Sequence, residues 1–287
     1  MGFVRESMTR IFFFFYFLTA SLGFARAALC PEISPEEILK SVRLHGFQCT
    51  PINLTGCAYQ QCTGKMSHYP QPVLITIPQT VTSLRLHFHG HLLGLASTRP
   101  YEGALPEMIQ AFGLQKSLCT SSEVTIFPQS LGANTTYKDF FKDSQAYTQF
   151  FTAIQSTLGN HLKDSPLHLS GHSGGGKYVA GALNAGIKTS KVSIFDGIYS
   201  TSTKDALKQW YTKDSGQLTI ATVKGMDPEK LATQLKNELG VKFISTKNSI
   251  GKTIYDVHTS GNFIHYSRGA SAMAHFETVT EIWPGTN

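Results

Sequence analysis

The sequence predicts an α/β fold with a mostly parallel central sheet, helices on both faces, and a disulfide-stapled segment in front. Three observations lead there. Short runs rich in Val, Ile, Leu and Phe alternate with helical patterns, and parallel strands need crossover connections of that kind. The 287 residues suffice for one substantial core. Cysteines crowd into the stretch ahead of the alternation, at 30, 49, 57 and 62, with a fifth at 119.

The chain starts with Arg5 and Arg10, an apolar run from Ile11 to Phe24, and Ala25-Arg26-Ala27. That is the layout of a secretory signal peptide over residues 1–27. The run is shorter than the roughly 20 residues of a spanning helix, so cleavage, a secreted or periplasmic location and no remaining membrane span are expected. Residues 28–71 then read as an irregular segment stapled by disulfides, as suits an oxidising compartment. Connectivity stays open, one cysteine is left over, and Cys49-x7-Cys57-x4-Cys62 lacks the paired C-x-x-C of a zinc knuckle.

From residue 72 to 287 the alternation predicts one domain. Pro72–Pro78, Ser83–His91 and Glu123–Ser130 read as strands. A helix follows, with Phe140, Tyr147, Phe151, Ile154 and Leu158 near one face and Gly159 at its end. Pro166–Gly171 is a strand leading into a glycine-rich turn and a helix. Lys191–Tyr199 and Gln217–Val223 are further strands, separated by a helix at "KDALKQWY". The helix "DPEKLATQLKNELG" has Asp227 to cap it, Pro228 in its first turn and Gly240 at its end. "VKFIST" supplies another strand, and "YDVHTSGNFIHYS" reads as strand and turn. Residues 92–117 form either a lid or pocket wall, or an ordinary helix near 105–112.

The turn itself, "LSGHSGGGKY" (169–178), carries two overlapping motifs. As G-x-x-x-x-G-K it would cradle phosphate, but Tyr178 stands where a Ser or Thr hydroxyl must ligate Mg²⁺. As G-x-S-x-G it is a nucleophile elbow around Ser173, whose sharp strand-to-helix turn demands small residues at Gly171, Gly174 and Gly175. The elbow also makes use of the strand end "LHFHGH" (86–91), which the phosphate reading leaves unexplained. His87, His89 and His91 alternate as zinc or copper ligands would, but Gly90 interrupts their shared strand face, so no metal and no cofactor are expected.

"LHFHGH", then "LSGHSGGG", then an Asp ending a later strand and a late His, resembles the α/β-hydrolase superfamily of lipases and esterases, over roughly Val73 to Pro284. The resemblance implies a Ser, acid, His order along the chain. It implies that the N–H of Gly90 or His91 faces that of Gly174 as an oxyanion hole. Candidate acids are Asp196, Asp227 and Asp256. Asp196 ends the strand after the elbow and precedes Gly197, whereas Asp227 is also explained by helix capping. Candidate bases are His258, His265 and His275; His275, after "GASAMA" and before an apolar-periodic stretch, is preferred, with His258 next. His172 reads as an elbow packing residue.

The expectation is a secreted serine hydrolase with Ser173, His275 and Asp196 acting on an ester. An amidase or peptidase acting on cell-envelope material, or a non-catalytic binder on the same scaffold, is the alternative. The net charge of +6 suits an anionic or envelope-associated substrate and is too diffuse for a nucleic-acid footprint.

Overall fold

The computed structural model describes residues 33–90, 113–130, 140–159 and 162–240, the backbone of 243–247, 254–258 and 262–266, and residues 106, 109, 110, 137, 275, 278 and 279. Expectations for residues 1–27, for Cys30, for His91 and for most of 92–117 lie outside them. Among the described residues no helix is long and apolar enough to cross a membrane.

The region expected to be irregular is regular. Helix α1 (Pro35–Leu44) is capped by Ser34, whose hydroxyl accepts from the Glu37 N–H, and it buries Ile38 and Val42. Strands β1 (Gln48–Leu54) and β2 (Cys57–Met66) form an antiparallel ribbon that continues into β3 (Tyr69–Pro78). Cys49 and Cys62 face each other across β1 and β2 and are disulfide-bonded. Cys57 bonds Cys119 in α2 (Gln115–Thr120), tying the ribbon to a point 62 residues away. Such a link stabilises by about 2–4 kcal/mol, mainly by restricting the unfolded chain.

β4 (Ser83–Phe88), β5 (Glu123–Pro128), β6 (Leu167–His172), β7 (Lys191–Phe195), β8 (Gln217–Val223) and β11 (Asn262–Tyr266) run parallel. Among the described residues the sheet order is β1-β2-β3-β5-β4-β6-β7-β8-β11. β9 (Phe243–Lys247) and β10 (Ile254–His258) pair separately as an antiparallel ribbon.

The helices follow their signals. α3 (Ser144–Leu158) begins where Asp143 accepts from the Ala146 N–H at 2.9 Å and buries Tyr147, Phe150, Ala153, Ile154 and Leu158. Phe140 precedes this helix instead of extending its stripe, and packs on Tyr69. α4 (Gly176–Asn184) follows the elbow, and α5 (Thr201–Asp214) is capped by Ser200. α6 (Asp227–Leu239) departs from expectation at its start: Met226 occupies the cap without a side-chain bond, and Asp227 is the first helical residue, where its charge complements the helix dipole.

Leaving β4 the chain moves one way along the sheet, to β5; leaving β6 it moves the other way, to β7. Right-handed crossovers in opposite directions place α2 on one face and α3, α4 and α5 on the other. Between β4 and β6 the sheet therefore has a topological switch point, and the crevice at the carboxyl ends of those two strands is where such sheets bind ligands. β4 ends two residues before Gly90, and β6 ends one residue before Ser173.

Candidate active site

Ser173 opens a short 3-10 turn, residues 173–175, between β6 and α4. Its φ is +53°, the left-handed region that costs an L-residue roughly 1–3 kcal/mol. Close packing holds it there. A Cβ on Gly175 would lie 2.0 Å from the Phe88 carbonyl oxygen, and one on Gly176 would lie 2.2 Å from that of Gly197. The elbow thus sits wedged between the chain leaving β4 and the chain leaving β7, with no room for side chains. Gly90 lies equally close: its Cβ would meet Ser173 Cβ at 2.6 Å.

Helix α4 is held from below. Tyr178 is buried and its hydroxyl accepts from the Tyr137 N–H at 3.1 Å, while Lys177 beside it is exposed. Neither residue is arranged as a phosphate loop requires.

Asp196 follows β7 and is fully buried, with φ +46°. Its backbone N–H donates to the Ala221 carbonyl at 2.7 Å, and its Oδ1 accepts from the Val223 N–H at 3.2 Å. The end of β8 therefore fixes this carboxylate. Oδ2 accepts from His275 Nδ1–H at 2.6 Å, across 79 positions of sequence. A charged acceptor at that distance sets the tautomer and leaves Nε2 as the basic nitrogen. His275 is buried and helical, where a loop position had been expected.

The histidines of β4 serve other ends. His89 donates from Nδ1 to the Gly90 carbonyl at 2.8 Å and accepts at Nε2 from the Ser130 N–H at 3.2 Å, so both nitrogens brace the turn at Gly90. Burial lowers its pKa to about 4, keeping it neutral. His87 bonds the Ser170 hydroxyl at 2.9 Å. Among the described residues no group of three His, Cys, Asp or Glu side chains is placed to hold a metal.

Asp227 is exposed at the start of α6. The backbone of His258 lies on β10, paired with Phe243. Asp256 is on the same strand and His265 is on β11. Of the candidate acids and bases whose side chains are described, Asp196 and His275 are in hydrogen-bond contact.

One residue of the site had no sequence signal. Tyr199, in the turn after Asp196, is 46% exposed. Burial of part of its ring raises the phenol above its ordinary range, and the nearby Ser173 side chain partly offsets this.

A mostly parallel sheet, an elbow at its switch point, and acid and histidine following later strands in chain order specify the architecture. The fold is that of an α/β-hydrolase. No family model and no curated protein matches the chain. Among solved structures it is similar to a dienelactone hydrolase from Anabaena variabilis, at 12% identity over 84% of this chain and 95% of that one, with a TM-score of 0.46. It is similar to an S-formylglutathione hydrolase from Agrobacterium tumefaciens, at 11% identity over 82% and 95%, with a TM-score of 0.46. It is similar to a glucuronoyl esterase from Teredinibacter turnerae, at 10% identity over 82% and 76%, with a TM-score of 0.47. Likenesses this distant assign no substrate and no residue role; the fold follows from the chain's own strand order.

Proposed function

We propose that the protein is a secreted serine hydrolase that cleaves an ester through Ser173, His275 and Asp196. The observation that carries this reading is the 2.6 Å bond from His275 Nδ1–H to the buried Asp196, in a chain that also holds Ser173 at φ +53° in the switch-point crevice. A strained serine is hard to explain as packing, since glycine would fill the same turn without cost.

The chemistry follows from these groups. His275 Nε2 takes the Ser173 proton as Oγ bonds to the carbonyl carbon, and Asp196 stabilises the imidazolium that forms. Negative charge on the former carbonyl oxygen is met by backbone N–H groups at the start of the α4 segment, Gly174 foremost, and at Gly90 or His91. The imidazolium then protonates the leaving alcohol as the C–O bond breaks. Water, deprotonated by the same histidine, attacks the acyl-enzyme, releasing the carboxylic acid and restoring Ser173. The disulfides support an oxidising compartment, as export by residues 1–27 requires.

A fluorophosphonate probe tests the reading. Labelling of the wild-type protein that disappears in Ser173→Ala, with ester turnover falling in parallel by about 10⁵-fold or more, is the expected result. Folded wild-type protein that neither labels nor turns over esters across a range of acyl lengths would leave a binding protein on a hydrolase scaffold. Faster cleavage of matched amides would move the substrate to the amidase or peptidase class.

A further inference from the structure

His172 is the variable position of the elbow motif, yet its side chain is placed to act on the histidine of the site. It is buried at the end of β6. Its Nε2 lies 3.1 Å from the His275 carbonyl oxygen, 103 residues away in sequence. A carbonyl only accepts, so Nε2 carries the proton and Nδ1 is the acceptor nitrogen of the neutral ring. The two imidazoles also lie against each other, with ring centroids 4.5 Å apart and planes tilted by 38°. On its other side His172 abuts the turn after β4: a Cβ on Gly90 would come within 2.9 Å of both His172 Nδ1 and the His172 carbonyl oxygen. One side chain thus spans from the oxyanion turn to the segment that carries the base.

We propose that His172 is a positioning residue, clamping the His275 backbone and packing against its ring so that the imidazole is held in register with Ser173. This rests on the serine-hydrolase reading above. Asp196 restrains His275 at one ring nitrogen, which leaves rotation about that bond; a donor on the backbone and a neighbouring ring face remove it. The ring contact also suits the reaction. Burial, and then the proximity of His275, hold His172 well below the ordinary imidazole range, so it stays neutral at pH 7. A neutral aromatic face beside His275 accommodates the imidazolium formed when Ser173 loses its proton, whereas a second charged ring would oppose it.

The same carbonyl accepts a second bond, from Thr278 Oγ1 at 2.7 Å within the helical segment, and this provides the control. Four variants separate the possibilities, each checked for folding by its melting temperature. His172→Ala is expected to lower kcat about 30-fold with KM within about twofold, since misplacing a base by around 1 Å costs on that scale. His172→Gln keeps an N–H donor of similar reach and is expected to recover kcat to within about fivefold of wild type. His172→Phe keeps the ring and loses the donor; a fall of about tenfold is expected, and it gives the reading should the alanine variant not fold. Thr278→Val loses a bond to the same carbonyl without touching the ring and is expected to cost less than about threefold. Wild-type kcat in folded His172→Ala or His172→Phe, or a glutamine variant no better than alanine, overturns the proposal. If Ser173→Ala abolishes turnover while the His172 variants remain fully active, the clamp alone is wrong; if Ser173→Ala is fully active, the hydrolase reading fails and the clamp with it.

Discussion

At the amino ends of β4, β5 and β6 the protein buries charge in pairs, while at the carboxyl ends of β6 and β7 it holds side chains in costly backbone conformations. Near the starts of these strands Arg85 Nε–H donates to Glu123 Oε2 at 2.5 Å, His168 Nδ1 lies 3.1 Å from the other carboxylate oxygen, and His168 Nε2 bonds the Ser193 hydroxyl at 2.8 Å. Burial alone would raise Glu123, but the His168 hydrogen bond and the Arg85 charge outweigh it and bring the carboxyl down to about 2. At the far end, Ser173 and Asp196 both have positive φ, and glycines pack with no space for a Cβ. The same strands therefore carry two kinds of cost. One is desolvation, offset by pairing; the other is strain, held by packing and suited to chemistry. Conserving charge pairing at one end should preserve stability, and preserving geometry at the other should preserve activity.

The largest effect expected at the carboxyl end comes from Asp196→Asn. Asparagine tolerates left-handed φ and can still accept from the Val223 N–H, so melting should stay close to wild type. Losing the charge that fixes the His275 tautomer should nevertheless lower kcat about 10⁴-fold, or about 5.5 kcal/mol of barrier. Ester turnover measured beside a thermal melt checks both halves. Near-wild-type turnover would remove Asp196 from the site and return attention to Asp227.

At the amino end Glu123→Gln should do the reverse. It leaves the fully buried Arg85 guanidinium without its carboxylate, which should cost about 3–5 kcal/mol of unfolding free energy in urea at pH 7, with kcat of the folded protein within about twofold. The pH dependence carries a sign. Because the folded-state carboxyl is depressed to about 2, its stabilisation is complete above the ordinary carboxylate range and is lost as pH falls through that range towards 2. The stability gap between wild type and Glu123→Gln should therefore narrow from pH 6 to pH 2. A gap that stays constant or widens would show that Glu123 acts there through shape alone.

Gly90→Ala probes the carboxyl end by crowding instead of deletion. Its Cβ would lie 2.6 Å from Ser173 Cβ and 2.9 Å from His172 Nδ1, so the elbow or the turn must move. Turnover should fall about 100-fold, with a stability loss of roughly 1–3 kcal/mol. A variant with wild-type kcat would mean that the turn after β4 relaxes freely and does not set the oxyanion geometry.

The two ends also differ in how legible they were from sequence. The elbow announced itself because a strand-to-helix turn with a non-glycine tip needs its glycines in fixed positions, and β8 matches its apolar run from Gln217 to Val223. The ribbon of β1 and β2 did not, because its half-exposed strands mix Gln, Thr, Pro and Cys and lack a clean apolar face. The choice between Asp196 and Asp227 stayed open for a physical reason. What distinguishes them is the register of β7 on β8, which brings the Val223 N–H to one carboxylate, and the return of residue 275 from the far end of the chain. The Arg85, Glu123 and His168 cluster was likewise invisible, being assembled from three strands that are neighbours only in the sheet.

Tyr199 gives the finest test of the comparison, since it belongs to the strained end by position but is not itself strained. Ile198 before it is fully buried and Ser200 after it caps α5, so the turn is pinned on both sides. Because β7 and β4 flank β6 on opposite sides, Tyr199 approaches Ser173 from the side away from Gly90. It therefore flanks the nucleophile on the side opposite the expected oxyanion amides. With its pKa above the ordinary phenol range, it remains a protonated donor throughout the neutral region. Tyr199→Phe removes that donor and keeps the ring, so kcat/KM should change by about threefold to tenfold, an ordinary hydrogen bond's worth, with no change in melting. Initial rates on one ester decide it. A loss beyond about 100-fold would place the phenol among the groups that meet developing charge, and the catalytic constellation would then extend across both flanks of the elbow.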